Sequence, residues 1–522
     1  MGIVINERLH STLPPDDDHP YRTGAWRPQS AEYTATHMPT IGRVPDDLNG
    51  VYIRNTENPL HPNLERYHPF DGDGMLHCMS FDDGAAEYRN RFVRTTGLVI
   101  EQEAGGAQWS GLAESPAKSP RSDGWGARTR MKDASSTDVV VFGGLALSSF
   151  YQCGELYQLD PRTLDDRGRA TWNGAFPSAG VSAHTKVDEN SNELLFFNYE
   201  TSAPYMHYGV LNDHHELVHY IPIELPGPRL PHDMAFTENY AILNDCPLFW
   251  DPELIGRGVY ATKWHADMPT RFAIVPRRGA PGEVRWFEAD PTYVLHWINA
   301  FETSDHEGDW VVLDGFFQYD PSPSVPPDAD LNTRLFRFLD LYAMDSRAYR
   351  WRFNLTTGET REGPLTDVVS EFAMINNSVG GRDYRYYYSV VPTPGCFQFD
   401  GIVKNDLHTG STETYMFGDG VFGSETVMAP RPNARSEDDG YLVTFVSDVN
   451  ADRSECLIFD AQGVADGPIC RIELPERISS GTHACWASLL TNPTQRPSRV
   501  DKKPFFSPDG ASSHLQRSSL GT

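Results

Sequence analysis

The feature that most constrains this chain is a hairpin that recurs seven times. A β-type run ends in an Asp/Asn/Gly-rich turn and a second run leaves it, as in MSFDDGAAEYRNRF (79–92), LYQLDPRTLDDRG (156–168) and YGVLNDHHELVHY (208–220). The pattern returns at FAIVPRRGAPGEVRWF (272–287), RWRFNLTTGETREG (350–363), IVKNDLHTGSTETY (402–415) and LIFDAQGVADGPICRI (457–472). Asn, Asp and Gly accept the positive φ that tight hairpin connections require. Other β-type runs, such as DVVVFGG (138–144) and DWVVLDGFF (309–317), lie between Gly, Pro and Asp clusters, and amphipathic helices are scarce. The expectation is an all-β chain built as a seven-bladed β-propeller, whose blades hide their faces against neighbours and whose closure removes long exposed edges. Hairpins of this kind also occur in other large β proteins, so on this pattern alone the propeller and a different β architecture both stand.

The hairpin turns are unevenly spaced, so some blades must carry long insertions. The longest, 94–136 and 318–345, are rich in polar and turn residues and are expected to form a dome of loops over a site. Residues 1–45 are Pro- and Asp-rich and read as an arm wrapping a propeller domain over 46–490. Residues 491–522 are polar with a slight basic excess and read as a flexible tail. A solvated terminus is the first reading of that tail and a weak peripheral membrane contact the second.

Of the 522 residues, 72 are acidic and 44 basic, a net charge of −28, which argues against nucleic-acid binding. The seven cysteines include no Cys-x-x-Cys pair and read as buried small residues in a reducing compartment. The opening residues lack the apolar core of a secretory signal, and no run is long enough for a membrane-spanning helix. A soluble cytoplasmic protein is expected. The sequence leaves the oligomeric state open.

Four of the 18 histidines stand out because β-type sequence flanks them: His184 in VSAHTKVDENSNELLFFNY, His232 in RLPHDMAFTENYAILND, His296 in YVLHWINAFE and His483 in SSGTHACWAS. No two have the spacing of a helical metal site or a zinc finger. A closed propeller can gather them, since its innermost strands face one axis. Taken singly, each is more simply a hydrogen-bonded core histidine.

At these four positions the chain resembles the carotenoid cleavage oxygenase family, which includes lignostilbene- and isoeugenol-cleaving members. The resemblance runs from about residue 20 to about 490. It is carried by GVYIRNTENPLHPNLERYHPFDGDGMLH (50–77), RNRFVRT (89–95), VPRRG (275–279), the EF of SEFAMIN (370–376), DYRYYY (383–388) and EDDGYLVTFV (437–446), in the family's order. It implies a seven-bladed propeller with Fe(II) on its axis, held by His184, His232, His296 and His483. Thr185 stands where Pro is common and Ala484 where Gly is usual; neither change removes a donor nitrogen. The resemblance also implies three carboxylates behind the ligands. Glu371 and Glu425 match two of them. Counting back from Pro161 puts Gln152 at the third, with Glu155 three residues further on as its substitute.

The implied reaction is cleavage of a C=C bond of an apolar alkene with O2 to give two carbonyl products, with no nicotinamide or α-keto acid. Neutral imidazole suits Fe(II), Zn(II) and Cu(II) alike, so the iron assignment rests on the resemblance. Aromatic walls suit such a substrate, and Phe150, Tyr151, Trp250, Trp264, Trp297, Phe301 and Trp486 are candidates, with ordinary core packing as the alternative for each. Stilbene-cleaving relatives grip a phenol with a Tyr and a Lys. Here the Tyr position is Phe92, and the Lys region reads SSFYQ (148–152), without Lys. An apocarotenoid-like substrate is therefore the first expectation, and a phenolic stilbene or phenylpropenoid the second. A propeller that binds or isomerises an apolar ligand without cleaving it is the reading from another class.

Overall fold

All seven hairpins form, and each lies in a different antiparallel sheet. The computed structural model describes residues 1–125, 131–251, 253 and 262–488; the tail expected over 491–522 lies outside the described residues. The first hairpin joins Asp73–Asp82 to Ala85–Phe92 through Asp83 (φ 46°) and Gly84 (φ 74°), the paired positive angles of a two-residue turn whose twist matches its strands.

The sheets make an all-β propeller. Five are four-stranded and run along the chain from Asp138–Phe142 to Ser411–Met416. A six-stranded sheet follows, built on 421–473, with Thr40–Gly42 added at its edge. Apart from that edge strand, each of these six grows from one continuous run of chain. The seven-stranded sheet differs: Ala484–Ala487 pairs with Gly50–Arg54, which pairs with Asp73–Asp82, so the two ends of the chain meet there. The expectation of seven like blades is thus corrected to six, with the seventh sheet a composite that draws its inner strand from the far end of the chain. The 1–45 arm supplies outer strands: Gly2–Arg8 and Ala31–Thr36 extend the composite sheet beyond Ala85–Phe92.

Position within a sheet explains strand composition. Glu193–Tyr199 (ELLFFNY) is covered on both faces and is almost wholly apolar and buried; Ser411–Met416 (STETYM) is an outer strand and largely exposed. Facing sheets interlock through large side chains. Phe272, Trp297, Trp351 and Phe353 pack in one cluster between the sheet holding Thr270–Pro276 and the one holding Ser346–Asn354. Each such side chain contributes about 1.5–3 kcal/mol by leaving water. This packing fixes the inner strands, and through them the site. No helix among the described residues is long and apolar enough to cross a membrane.

Candidate metal centre

Each of the seven sheets contributes one polar residue at, or just before, the start of its first strand on the axis. Four are histidines: His184 ahead of Lys186–Asp188, His232 ahead of Ala235–Phe236, His296 ahead of Trp297–Asp305 and His483 ahead of Ala484–Ala487. The other three sheets contribute acids: Asp138 opens Asp138–Phe142, Glu371 opens Glu371–Met374, and Glu425 precedes Val427–Pro430.

The four histidines are buried, and one ring nitrogen from each lies within 4.8 Å of the others. Ring centroids are 4.5 Å apart for His184 and His483, 4.7 Å for His296 and His483, and 5.2 Å for His232 and His296. Three imidazoles are backed by the three acids: His296 Nδ1 lies 2.7 Å from Glu371, His184 Nδ1 2.9 Å from Asp138 and His483 Nδ1 3.4 Å from Glu425. Each acid is itself fixed by a backbone N–H donor, from Phe372 to Glu371 (2.7 Å), Val139 to Asp138 (2.7 Å) and Ala484 to Glu425 (2.6 Å). Such partners orient ligating rings and make them better donors.

The third carboxylate hydrogen-bonded to one of these histidines is Asp138, a residue not expected in that role. Gln152 follows the second strand of its sheet, Leu145–Ser149, and its side-chain oxygen is buried without a partner. Glu155 is turned away, accepting from the Tyr157 hydroxyl (3.1 Å) and pairing with Arg169 (2.6 Å). A further acid ties two ligands together: Asp233, next to His232, accepts from the Trp297 backbone N–H (2.9 Å), next to His296, and pairs with Lys186 (2.7 Å). Phe372 lays its ring 4.4 Å from that of His296 and 4.7 Å from that of His483, from a backbone at φ 53°, where a bulky residue is strained by order 1–3 kcal/mol.

Burial dominates the electrostatics. It pushes His184, His232 and His296 well below the usual histidine range, helped by neighbouring imidazoles. His483 goes the other way: burial pulls it down, but the Glu425, Asp138 and Asp233 carboxylates outweigh it. Burial raises Glu371 to about 8 and lifts Glu425 and Asp138 too. Three neutral imidazoles converge here, and the His296 Nε2 atom is buried with no hydrogen-bond partner. A buried ring nitrogen left bare is costly unless something accepts its lone pair, so the donor set fits a divalent first-row metal.

The histidines separate two spaces. His184, His296 and His483 line an axial chamber of about 180 Å³, walled also by Trp297 and Trp486. His232 opens onto a cavity of about 560 Å³ under the 94–136 and 318–345 loops, lined by Tyr151, Gln152 and Trp250 and by residues not anticipated: Phe70, Tyr293, Leu295 and Phe338. Four expected tunnel aromatics pack elsewhere. Phe92 is sealed with Leu9, Leu60, Met75 and Leu98, and Phe301 lies between sheets with Ile298 and Tyr384. Phe150 packs with Met131 and Ala134, and Trp264 against Cys246 and Leu248. Chain order alone does not tell which face of a strand an aromatic occupies.

Residues 26–488 match the family described as retinal pigment epithelial membrane protein. Carotenoid 9,10(9′,10′)-cleavage dioxygenase 1 of Phaseolus vulgaris is 30% identical over 519 residues, covering 92% of this chain and 91% of its own. The lignostilbene dioxygenase of Pseudomonas brassicacearum superposes with a TM-score of 0.77 at 26% identity, over 91% of this chain and 100% of that one. Cobalt-substituted Synechocystis ACO superposes with a TM-score of 0.76 at 26% identity, over 88% and 97%. The chain belongs to this retinal pigment epithelial membrane protein and carotenoid cleavage oxygenase family, and it is an oxygenase.

Proposed function

We propose that the protein is a non-haem Fe(II) dioxygenase that cleaves a C=C bond of an apolar alkene with O2 to give two carbonyl products. The carrying observation is the set of four buried histidines whose donor atoms lie within 4.8 Å, with His232 at the inner end of an aromatic-lined cavity. Fe(II) held by His184, His232, His296 and His483 would supply the electron density that ground-state O2 needs to react with an alkene. The chain's own residues do the rest. Glu371, Asp138 and Glu425 hold three ring orientations, and a bound cation would favour their ionised forms, which would offset its charge. Tyr151, Trp250 and Phe338 line the space in which an extended alkene would lie, and the dome loops keep it dry.

A linear apocarotenoid-like substrate fits this cavity best. A phenolic stilbene or phenylpropenoid is the second reading, favoured by Tyr151, which lines the cavity with its ring 5.8 Å from that of His232. A cytoplasmic location belongs to the same proposal, supported by seven free cysteines. The test is aerobic incubation of iron-loaded protein with apocarotenal and hydroxystilbene panels, with aldehyde products identified by mass. Cleavage of either panel supports the reaction. Binding of both without product, seen as fluorescence quenching, would replace it with a ligand-binding or isomerising role.

A further inference from the structure

In a chain with 72 acidic and 44 basic residues, arginines usually find carboxylates. Arg350 pairs with Asp314 (2.8 Å), Arg385 with Asp406 (2.7 Å) and Arg229 with Asp245 (2.5 Å). Arg66, Arg334 and Arg337 depart from this habit. All three line the His232 cavity, and among the described residues none has a carboxylate at ion-pair distance. Their exposure places them at its mouth: Arg66 and Arg334 are exposed and Arg337 half-buried, while His232 is buried at the inner end.

Two of the guanidinium groups are held without being neutralised. Arg334 donates through Nε to the Ala329 carbonyl (3.0 Å) and through Nη2 to the Pro327 carbonyl. Arg337 donates to the Arg334 carbonyl (3.0 Å) and lies over the Phe338 ring at 4.2 Å. The carboxylate in the same lining, Glu114, accepts from the backbone N–H groups of Arg66 and Gly111, both at 2.8 Å. The mouth is thus a cluster of positive charge on a protein of net charge −28, at the outer end of an apolar space. A neutral alcohol or aldehyde gains little from three guanidinium groups, whereas a carboxylate gains charge-assisted and bidentate hydrogen bonds. The cluster also offsets the long-range repulsion that so acidic a protein exerts on an anion.

We infer that the substrate's end remote from the histidines carries a carboxylate, received by Arg66, Arg334 and Arg337. This rests on the alkene-cleavage reading for the inner end of the cavity. The alternative occupant is a lipid phosphate at a membrane surface, which the test separates.

The probes are all-trans-retinoic acid and its methyl ester, bound anaerobically to the full chain and followed by tryptophan quenching. At low salt the acid should bind about tenfold tighter than the ester, three exposed pairs each adding roughly a factor of two. In R66Q/R334Q/R337Q the acid-to-ester ratio should fall to near one, and R337K should keep most of the preference. If the triple variant melts below the parent, R66Q and R337Q read the same ratio singly. Equal binding of acid and ester by the parent, or a ratio that survives the triple variant, overturns the inference. So does a triple variant that keeps the ratio but loses affinity for phosphatidylcholine vesicles containing phosphatidylglycerol, since the arginines would then serve a membrane. Aerobic incubation with both probes tests the underlying reading separately. Cleavage without an acid preference removes the carboxylate and leaves the alkene chemistry, while an acid preference without cleavage does the reverse.

Discussion

Asp138 Oδ2 lies 2.9 Å from His184 Nδ1, and the same acid accepts the Val139 backbone N–H through its other oxygen. The ring of His184 is thereby pinned with its Nε2 toward His232, 3.0 Å away. D138N keeps the size and removes the charge. It should lower metal affinity by about 10–100-fold, as loss of an outer hydrogen-bond partner does elsewhere. Titration of the apoprotein with Co(II), followed by its visible absorption, gives the number. Unchanged affinity would mean that Asp138 only packs.

Removing a ligand should do more than removing its partner. H232A and H483A should each be purified with sharply lower iron than the parent after identical anaerobic loading, measured by elemental analysis. Full iron retention in either variant would show that the ring is a neighbour of the metal and not a ligand. Stripping metal from the parent with a chelator should also lower its thermal midpoint, because an ion that binds only the folded state stabilises it by mass action.

Phe92 bears on substrate choice in an unexpected way. It occupies the position where stilbene-cleaving relatives carry tyrosine, yet here it is sealed among Leu9, Leu60 and Met75. F92Y should therefore create no phenol grip. It should instead destabilise the fold by about 1–3 kcal/mol, the cost of burying a hydroxyl without a partner. Denaturant midpoints read the stability, and the ratio of rates on hydroxylated and unhydroxylated stilbenes reads the grip. A rise in that ratio would place the position in contact with substrate.

Acid sensitivity has a source away from the metal. His77 is buried in the composite sheet, its Nδ1 2.8 Å from the Tyr88 hydroxyl, and burial and the nearby Arg54 push it well below the usual histidine range. The unfolded chain takes up this proton near pH 6.5, while the folded chain does not until much lower pH. The stability that His77 contributes is thus present above about pH 6.5 and lost as pH falls below it. In H77Q, unfolding free energy should fall less steeply between pH 6.5 and 5, by about 1.4 kcal/mol per pH unit. Parallel slopes for parent and variant would rule His77 out as the source.

Much of this molecule is legible in its residues, and the failures share a cause. The hairpins could be placed because Asp83-Gly84 and its counterparts are local signals that need no tertiary contact to be recognised. The four histidines and Glu371 and Glu425 could be placed because long ordered motifs surround them. Asp138 was passed over inside DVVVFGG, read only as a strand, although it opens an axial strand just as Glu371 does. A count back from Pro161 reaches Gln152, which lines the His232 cavity, but a count does not show which side chain stands behind a given ring. Four of the eight expected tunnel aromatics pack elsewhere for a like reason: Tyr151 and Phe150 are neighbours, yet Tyr151 lines the cavity and Phe150 does not.

The composite sheet sets a timetable. His483 reaches the axis only when Ala484–Ala487 zips onto Gly50–Arg54, segments separated by more than 400 residues. During synthesis Gly50–Arg54 leaves the ribosome more than 400 residues before its partner. Until then the nascent protein holds at most three of its four imidazoles. A site with all four imidazoles therefore assembles only after Ala484–Ala487 has emerged, and a copy truncated before residue 484 would have an open ring.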